Sequence, residues 1–377
     1  MRRAPTKMLV GVPSYRSPVA LERRTAIRDL GFVGGSIASP KAWLRFVMAE
    51  DQADVDEDKG DVWLFPLPPQ RRAKKSYGLE KYLLSNAFLR AAVNRSDSPN
   101  LLVLADDDTL FNATDLVRRM QPFASVRRLV FGNGEEWFMW DPIAMISTCY
   151  AYSSRRWELA QLSTANRSFD SLSRREKECV HSRAVGPFPY AKGHFLGYSL
   201  ETAKELVRLF DASGDEAYAL GKRATSPIDH PFYNKLLRPS HPMHPANKVL
   251  TEDVYYMHLL FKARKRLDLT LLHLTLSEFV VERGERALHR ADVYHKLKKP
   301  NRFEYLRSRP HLLAPRVEPQ VNPPRCEPMT SKYRVRRGGQ LVAKLEHCCE
   351  RWRWCELSPL RRRERAGDEI FHAPVAT

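Results

Sequence analysis

The stretch LLVLADDDTLFNAT, residues 101–114, runs five apolar residues directly into three consecutive aspartates, Asp106, Asp107 and Asp108. A short apolar run bounded by turn-forming residues reads as a buried strand. A helix is expected to open soon after the aspartates. Three like charges at the end of a buried strand repel one another and resist desolvation, so something must compensate them. The candidates are a metal ion, a neighbouring arginine and plain solvent.

The segments around this stretch alternate in type. MLVGVP (8–13), LRFVMA (44–49) and VWLFPL (62–67) read as strands. The polar VALERRTAIRDL (19–30) reads as a helix, as does LEKYLLSNAFLRAAV (79–93), with Leu79, Leu83, Ala87 and Ala91 at i+4 spacing. Alternating strands and helices indicate an α/β fold, a mixed and mostly parallel sheet flanked by helices. In such sheets ligands sit outside the carboxyl ends of the strands, and the three aspartates lie at such an end.

Further on, LVFGNGEEWFMWDP carries a Gly-Asn-Gly turn signal, and VGPFPYAKGHFLGYSL (185–200) is a Pro/Gly-rich segment opening a helix, with Ser199 as N-cap. Another helix is expected at TEDVYYMHLLFKA, with Thr251 as N-cap. Glu252 and Asp253 in its first turn are favourably placed against the helix dipole, which alone would explain them. Residues 310–324 hold five prolines and read as a linker. The expected organisation is therefore a main domain over 1–309, that linker, and a basic extension over 325–377.

The chain has 62 Lys+Arg against 44 Asp+Glu, a formal net charge of +18, which favours anionic partners. The positive charge is dispersed, with RRRER (361–365) its densest run, so it reads as a solvated basic surface rather than a nucleic-acid groove. The acidic run EDQADVDEDKGD (50–61) reads as an exposed loop. No apolar run approaches the ~18 residues of a membrane span. The apolar part of the N-terminus is too short for a signal sequence, and the chain begins almost on its first strand. HCCERWRWC (347–355) lacks the paired spacing of a zinc site, and sequence cannot pair the six cysteines. Glycosylation triplets stand at Asn94, Asn112 and Asn166, meaningful only in a secretory lumen.

Asp106–Asp108 and Glu252–Asp253 are far apart in sequence but can converge at one sheet edge. Hard carboxylate oxygens suit Mg²⁺ or Mn²⁺ shared with phosphate oxygens, and a carboxylate across the cleft can serve as general base toward a hydroxyl. An aspartyl phosphatase would need Asp-x-Asp-x-Thr, but Leu110 stands at the threonine position.

In order, VGVPSY…ERRTAIRDL, DVWLFP, LLVLADDDTLFNA, EWFMWDP, GPFPYAKGHFLGYSLETAKEL, TEDVYYMHLL and VYHKLKKPNRF resemble the β-1,3-glycosyltransferases of glycosyltransferase family 31, including its Fringe-like group. The series is most similar to the divergent kinetoplastid-type members and spans residues 7–306. The resemblance implies a GT-A nucleotide-sugar fold and inverting transfer of a galactose- or N-acetylglucosamine-type hexose from a UDP-sugar to a glycan hydroxyl. The linkage it implies is β-1,3. It assigns Asp108, supported by Asp106 and with His295, to Mn²⁺ (or Mg²⁺), and Asp107 to the UDP ribose. Asp253 is the implied base, with Glu252 as the alternative. Arg24, Arg28, Lys192 and Gly193 would line the donor pocket, against a reading of the arginines as a solvated helix face. Trp137 and Trp140 are read as core, with acceptor stacking as the alternative. The implied compartment is the Golgi, the implied acceptor a glycan, anionic if the net charge has a partner there. Two other classes stay open: an inactive relative that binds glycan or nucleotide, and a basic nucleic-acid-binding protein.

Overall fold

The computed structural model describes residues 6–30, 38–39, 42–52, 60–67, 77–97, 99–111, 113–140, 171, 185–213, 252–273, 293–294, 300–309, 326–337 and 340–356. Its centre is β1 (Met8–Pro13), buried at every position. β1 pairs in parallel with β3 (Ala42–Ala49) on one side and β5 (Leu101–Ala105) on the other. The outer edge of β3 carries β2 (Ala38–Ser39), antiparallel, and β4 (Val62–Phe65), parallel. Beyond β5 lie the long antiparallel strand β8 (Val185–Ser199), then β7 (Leu129–Trp140) and β9 (Thr270–His273), the last two parallel to each other. A hairpin of β11 (Cys326–Arg337) and β12 (Gln340–Glu356) completes a ten-stranded sheet through a parallel β12–β9 pairing. Two short strands, β6 (Leu110–Phe111) and β10 (Val293–Tyr294), pair separately.

Side chains alternate across the pleat, so a strand covered on both faces must be apolar throughout. Leu9, Leu102 and Leu104 point into one core, with Tyr82, Phe88, Leu206, Tyr255 and Met257. These come from α2 (Tyr77–Val93), α4 (Leu200–Ser213) and α5 (Glu252–Lys262). Val10, Val12, Leu101 and Val103 point into the other, with Ile27, Leu116, Phe303 and Leu306. Those belong to α1 (Pro18–Leu30), α3 (Ala113–Met120) and α6 (Pro300–Arg307). Within the ten-stranded sheet parallel pairings outnumber antiparallel ones by five to four, and helices cover both faces. This is the mixed α/β architecture expected of a GT-A-like fold.

Several local expectations change. Among the described side chains of α2 the buried ones are Glu80, Tyr82, Leu84, Ser85, Phe88, Leu89 and Ala92, whereas Leu83, Ala87 and Ala91 are only partly covered. The helical period holds but its phase is set by packing: a Cβ on Gly11 would lie 2.7 Å from the Phe88 ring, so a glycine in β1 lets that ring seat on the sheet. The Gly-Asn-Gly signal is not a turn. β7 runs through it, with an irregular register between Gly132 and Gly134, the bulge that glycine permits within a strand. The Pro/Gly-rich segment is strand β8, and two of its three register shifts against β7 fall opposite the stretch holding Pro187 and Pro189, which have no N–H to donate. Ser199 does cap α4, its Oγ accepting from the Thr202 N–H at 3.4 Å and also from the Leu129 N–H at 3.0 Å. Thr251 lies outside the described residues.

The segment after the proline-rich stretch adds strands to the central sheet. Trp352 is fully buried beside Phe261, and its indole donates to the Leu267 carbonyl at 3.1 Å. Cys326 and Cys355, register partners in the hairpin, form a disulfide. Among the described residues no helix is long and apolar enough to cross a membrane.

Candidate functional site

β1 and β5 run in parallel, so their carboxyl ends share one edge of the sheet. At that edge the aspartates form a turn, the Thr109 N–H donating to the Asp106 carbonyl at 3.0 Å, followed by β6 and only then by α3. A turn splays three consecutive side chains in different directions. Asp106 receives the ammonium of Lys81, from the first turns of α2, at 2.5 Å. Asp107 receives Arg23 Nη1, from α1, at 2.9 Å. Asp107 and Asp108 are both buried. The compensating charges are therefore a lysine and an arginine that the sequence reading did not single out. Burial pushes the Asp107 carboxyl above the ordinary range although Arg23 opposes that shift.

The second carboxylate pair reaches the same place. α5 enters with Glu252 and Asp253, both buried, and Glu252 also meets the Lys81 ammonium. Burial alone would depress that ammonium, but Asp106 and Glu252 outweigh it and hold it well above the ordinary value. The Glu252 carboxyl rises to about 7, because burial and then the charges of Asp253 and Asp106 exceed what Lys81 returns. Asp253 is fixed by backbone donors: Oδ2 accepts from the Gly193 N–H at 2.6 Å and Oδ1 from the Val254 N–H at 2.8 Å. A Cβ at position 193 would lie 2.7 Å from the Asp253 carboxylate, so only glycine admits this approach. Lys81, Gly193, Glu252 and Asp253 line one narrow pocket with Pro13 and Tyr256.

The structure thus brings Asp106, Glu252, Asp253 and Gly193 together around Lys81, with Asp107 and Asp108 following in the turn after Asp106. Arg24 is fully buried and donates to Ser14 Oγ at 2.9 Å and to the Tyr15 carbonyl at 2.8 Å, bracing the β1–α1 turn. Arg28 makes a two-pronged pair with Asp61 at 2.8 and 3.0 Å and stacks over Phe46. The backbone of Lys192 lies in β8, and its side chain, like those of Trp137 and Trp140, is outside the described residues. His295 is also outside them. The described residue before it, Tyr294, pairs with Leu110, just past the aspartate turn. Carboxylate oxygens suit a hard divalent cation, yet among the described residues no group of three or more His, Cys, Asp or Glu side chains converges as a ligand set.

No protein-family model matches the chain, and no curated protein does. Among solved structures, it is similar to mouse xyloside xylosyltransferase 1 in its apo form. The identity is 12%, the TM-score 0.35, and the match covers 77% of this chain and 96% of that one. At that distance the likeness transfers no residue role and no reaction.

Proposed function

We propose that the chain is a UDP-sugar-dependent hexosyltransferase that inverts the anomeric centre and makes a β-1,3 linkage to a glycan hydroxyl. The observation that carries this reading is the meeting of Asp106, at the carboxyl end of β5, with Glu252, at the start of α5, through the Lys81 ammonium, with Asp253 in the pocket beside Glu252. The ordered motif series read from the sequence supplies the reaction type. Asp253, held by the Gly193 and Val254 N–H groups, takes the proton of the acceptor hydroxyl as its oxygen attacks the anomeric carbon. The bond from that carbon to the diphosphate oxygen breaks, and UDP leaves. Asp106 and Asp108, with His295, would hold a Mn²⁺ or Mg²⁺ that offsets the charge developing on the diphosphate. Lys192 is assigned to the donor side on the motif match alone, whereas Arg24 and Arg28, which the match also implies there, are engaged with Ser14, Tyr15 and Asp61 and are assigned to the frame. The net charge of +18 suits an anionic glycan acceptor.

A secretory, Golgi-type compartment fits two features: the Cys326–Cys355 disulfide and the exposed Asn94 in an Asn-Arg-Ser triplet. The test of the whole reading is calorimetric UDP binding with Mn²⁺ and with chelator. Metal-dependent binding in the wild type that is lost in Asp108→Asn is expected. UDP binding indifferent to both changes would remove the nucleotide-sugar site.

A further inference from the structure

Lys81 stands where three elements meet. α2 carries it, Asp106 is the first residue after β5, and Glu252 is the first residue of α5. Its ammonium reaches Asp106 Oδ1 and Glu252 Oε1, and its side chain is only 15% exposed. An ion pair whose purpose was to hold α2 against α5 would be redundant. The next residue, Tyr82, already packs edge-on against Tyr255 at 5.7 Å and against Tyr256 at 5.8 Å, and the Tyr256 hydroxyl donates to the Tyr82 carbonyl. Buried ion pairs contribute little net stability beside apolar packing of this kind. A single cation shared by two carboxylates does something packing cannot. It fixes the distance between the strand-end aspartates and the first turn of α5, to within the reach of one ammonium.

We infer that Lys81 is a positioning residue: by tying Glu252 to Asp106 it sets the first turn of α5 so that Asp253 faces the donor site with its carboxylate against Gly193. In this arrangement Glu252 is committed to the bridge, and Asp253, in the pocket beside it and oriented by the Gly193 and Val254 N–H groups, is the carboxylate assigned to the acceptor. The catalytic consequence rests on the transferase reading; the bridge itself does not.

The test uses the full chain with Lys81→Met, which keeps the length of the side chain and removes its charge, and Lys81→Arg. Lys81→Met is expected to lower kcat about a hundredfold, the cost typical of misplacing a reacting group by an ångström. KM for the donor should stay near that of the wild type, the thermal midpoint should fall because Asp106 and Glu252 lose their shared cation, and Lys81→Arg should recover part of both losses. A kcat unchanged per folded molecule, or a loss confined to KM, overturns the inference. A second measurement needs no activity: the urea midpoints of Lys81→Met, Glu252→Gln and the double variant. The inference expects the double variant to lose much less than the sum of the two singles, since it removes both members of one pair. Additive losses overturn it. If the wild type transfers no sugar from any UDP donor, the transferase reading falls, and the urea series alone decides for or against the bridge.

Discussion

Two buried ionic groups, built from the same chemistry, are used differently in this molecule. Arg28 and Asp61 form a closed pair, guanidinium to carboxylate, joined by two hydrogen bonds and capped by the Phe46 ring, with both side chains at most 6% exposed. Lys81 is shared between Asp106 and Glu252, with Asp253 in the pocket beside them. In the closed pair each charge is satisfied by its partner. Around Lys81 one ammonium serves two carboxylates, and burial, followed by the charges of Asp253 and Asp106, raises the Glu252 carboxyl to about 7. A balanced pair fastens elements together. A cation shared by two carboxylates fastens elements too, and it also leaves a carboxyl near neutral pH responsive to what arrives, a mark of sites that do chemistry.

The largest effect that would separate the two regions is on turnover. Asp253→Asn keeps the size of the side chain and removes the base, so kcat/KM is expected to fall by about 10²–10⁴, the range for general base catalysis. Glu252→Gln, in the bridge, should cost less. Steady-state kinetics with a UDP-sugar donor would show this, and a Glu252→Gln loss exceeding that of Asp253→Asn would exchange their roles. Next in size is the closed pair. Arg28→Met leaves Asp61 buried without its partner, which typically costs about 3–5 kcal/mol, measurable by urea unfolding. Turnover per folded molecule should be much less affected. A kinetic loss without a stability loss would move Arg28 from the frame to the donor pocket, the role its motif match implies.

Legibility in the sequence follows the same division. MLVGVP and LLVLA read as strands because burial on both faces demands continuous apolar character, and the alternation of strands and helices led to the sheet. The two carboxylate clusters were legible as unusual charges at element ends. Lys81 and Arg23 were not, since which cation meets an aspartate depends on how helices settle on the sheet. One signal was present for Lys81: from residue 81 to residue 93 only it and Arg90 are charged, in an otherwise apolar and polar-neutral run. β8 was hidden by its own composition, because Pro187, Pro189 and Gly193 signal a loop and only pairing with β5 and β7 makes them a strand. Gly193 was singled out as a point of close approach. What it approaches in the structure is Asp253.

The smallest expected effect concerns protons. Glu252 titrates from its ordinary 4.5 in the unfolded chain to about 7 in the folded one, so the folded state holds its proton more tightly. Stability from this group is fully present below pH 4.5 and is lost as the pH rises through 7. The sign is opposite to that of a carboxylate in a satisfied ion pair. Urea midpoints measured from pH 4.5 to 8 should therefore include a downward contribution across that window that disappears in Glu252→Gln. The same series on an Asp61→Asn background should leave the contribution in place, since Asp61 belongs to the closed pair. A slope unchanged by Glu252→Gln would mean that Lys81 fully satisfies Glu252 and that the cleft is as balanced as the Arg28–Asp61 pair. The comparison would then rest on position alone.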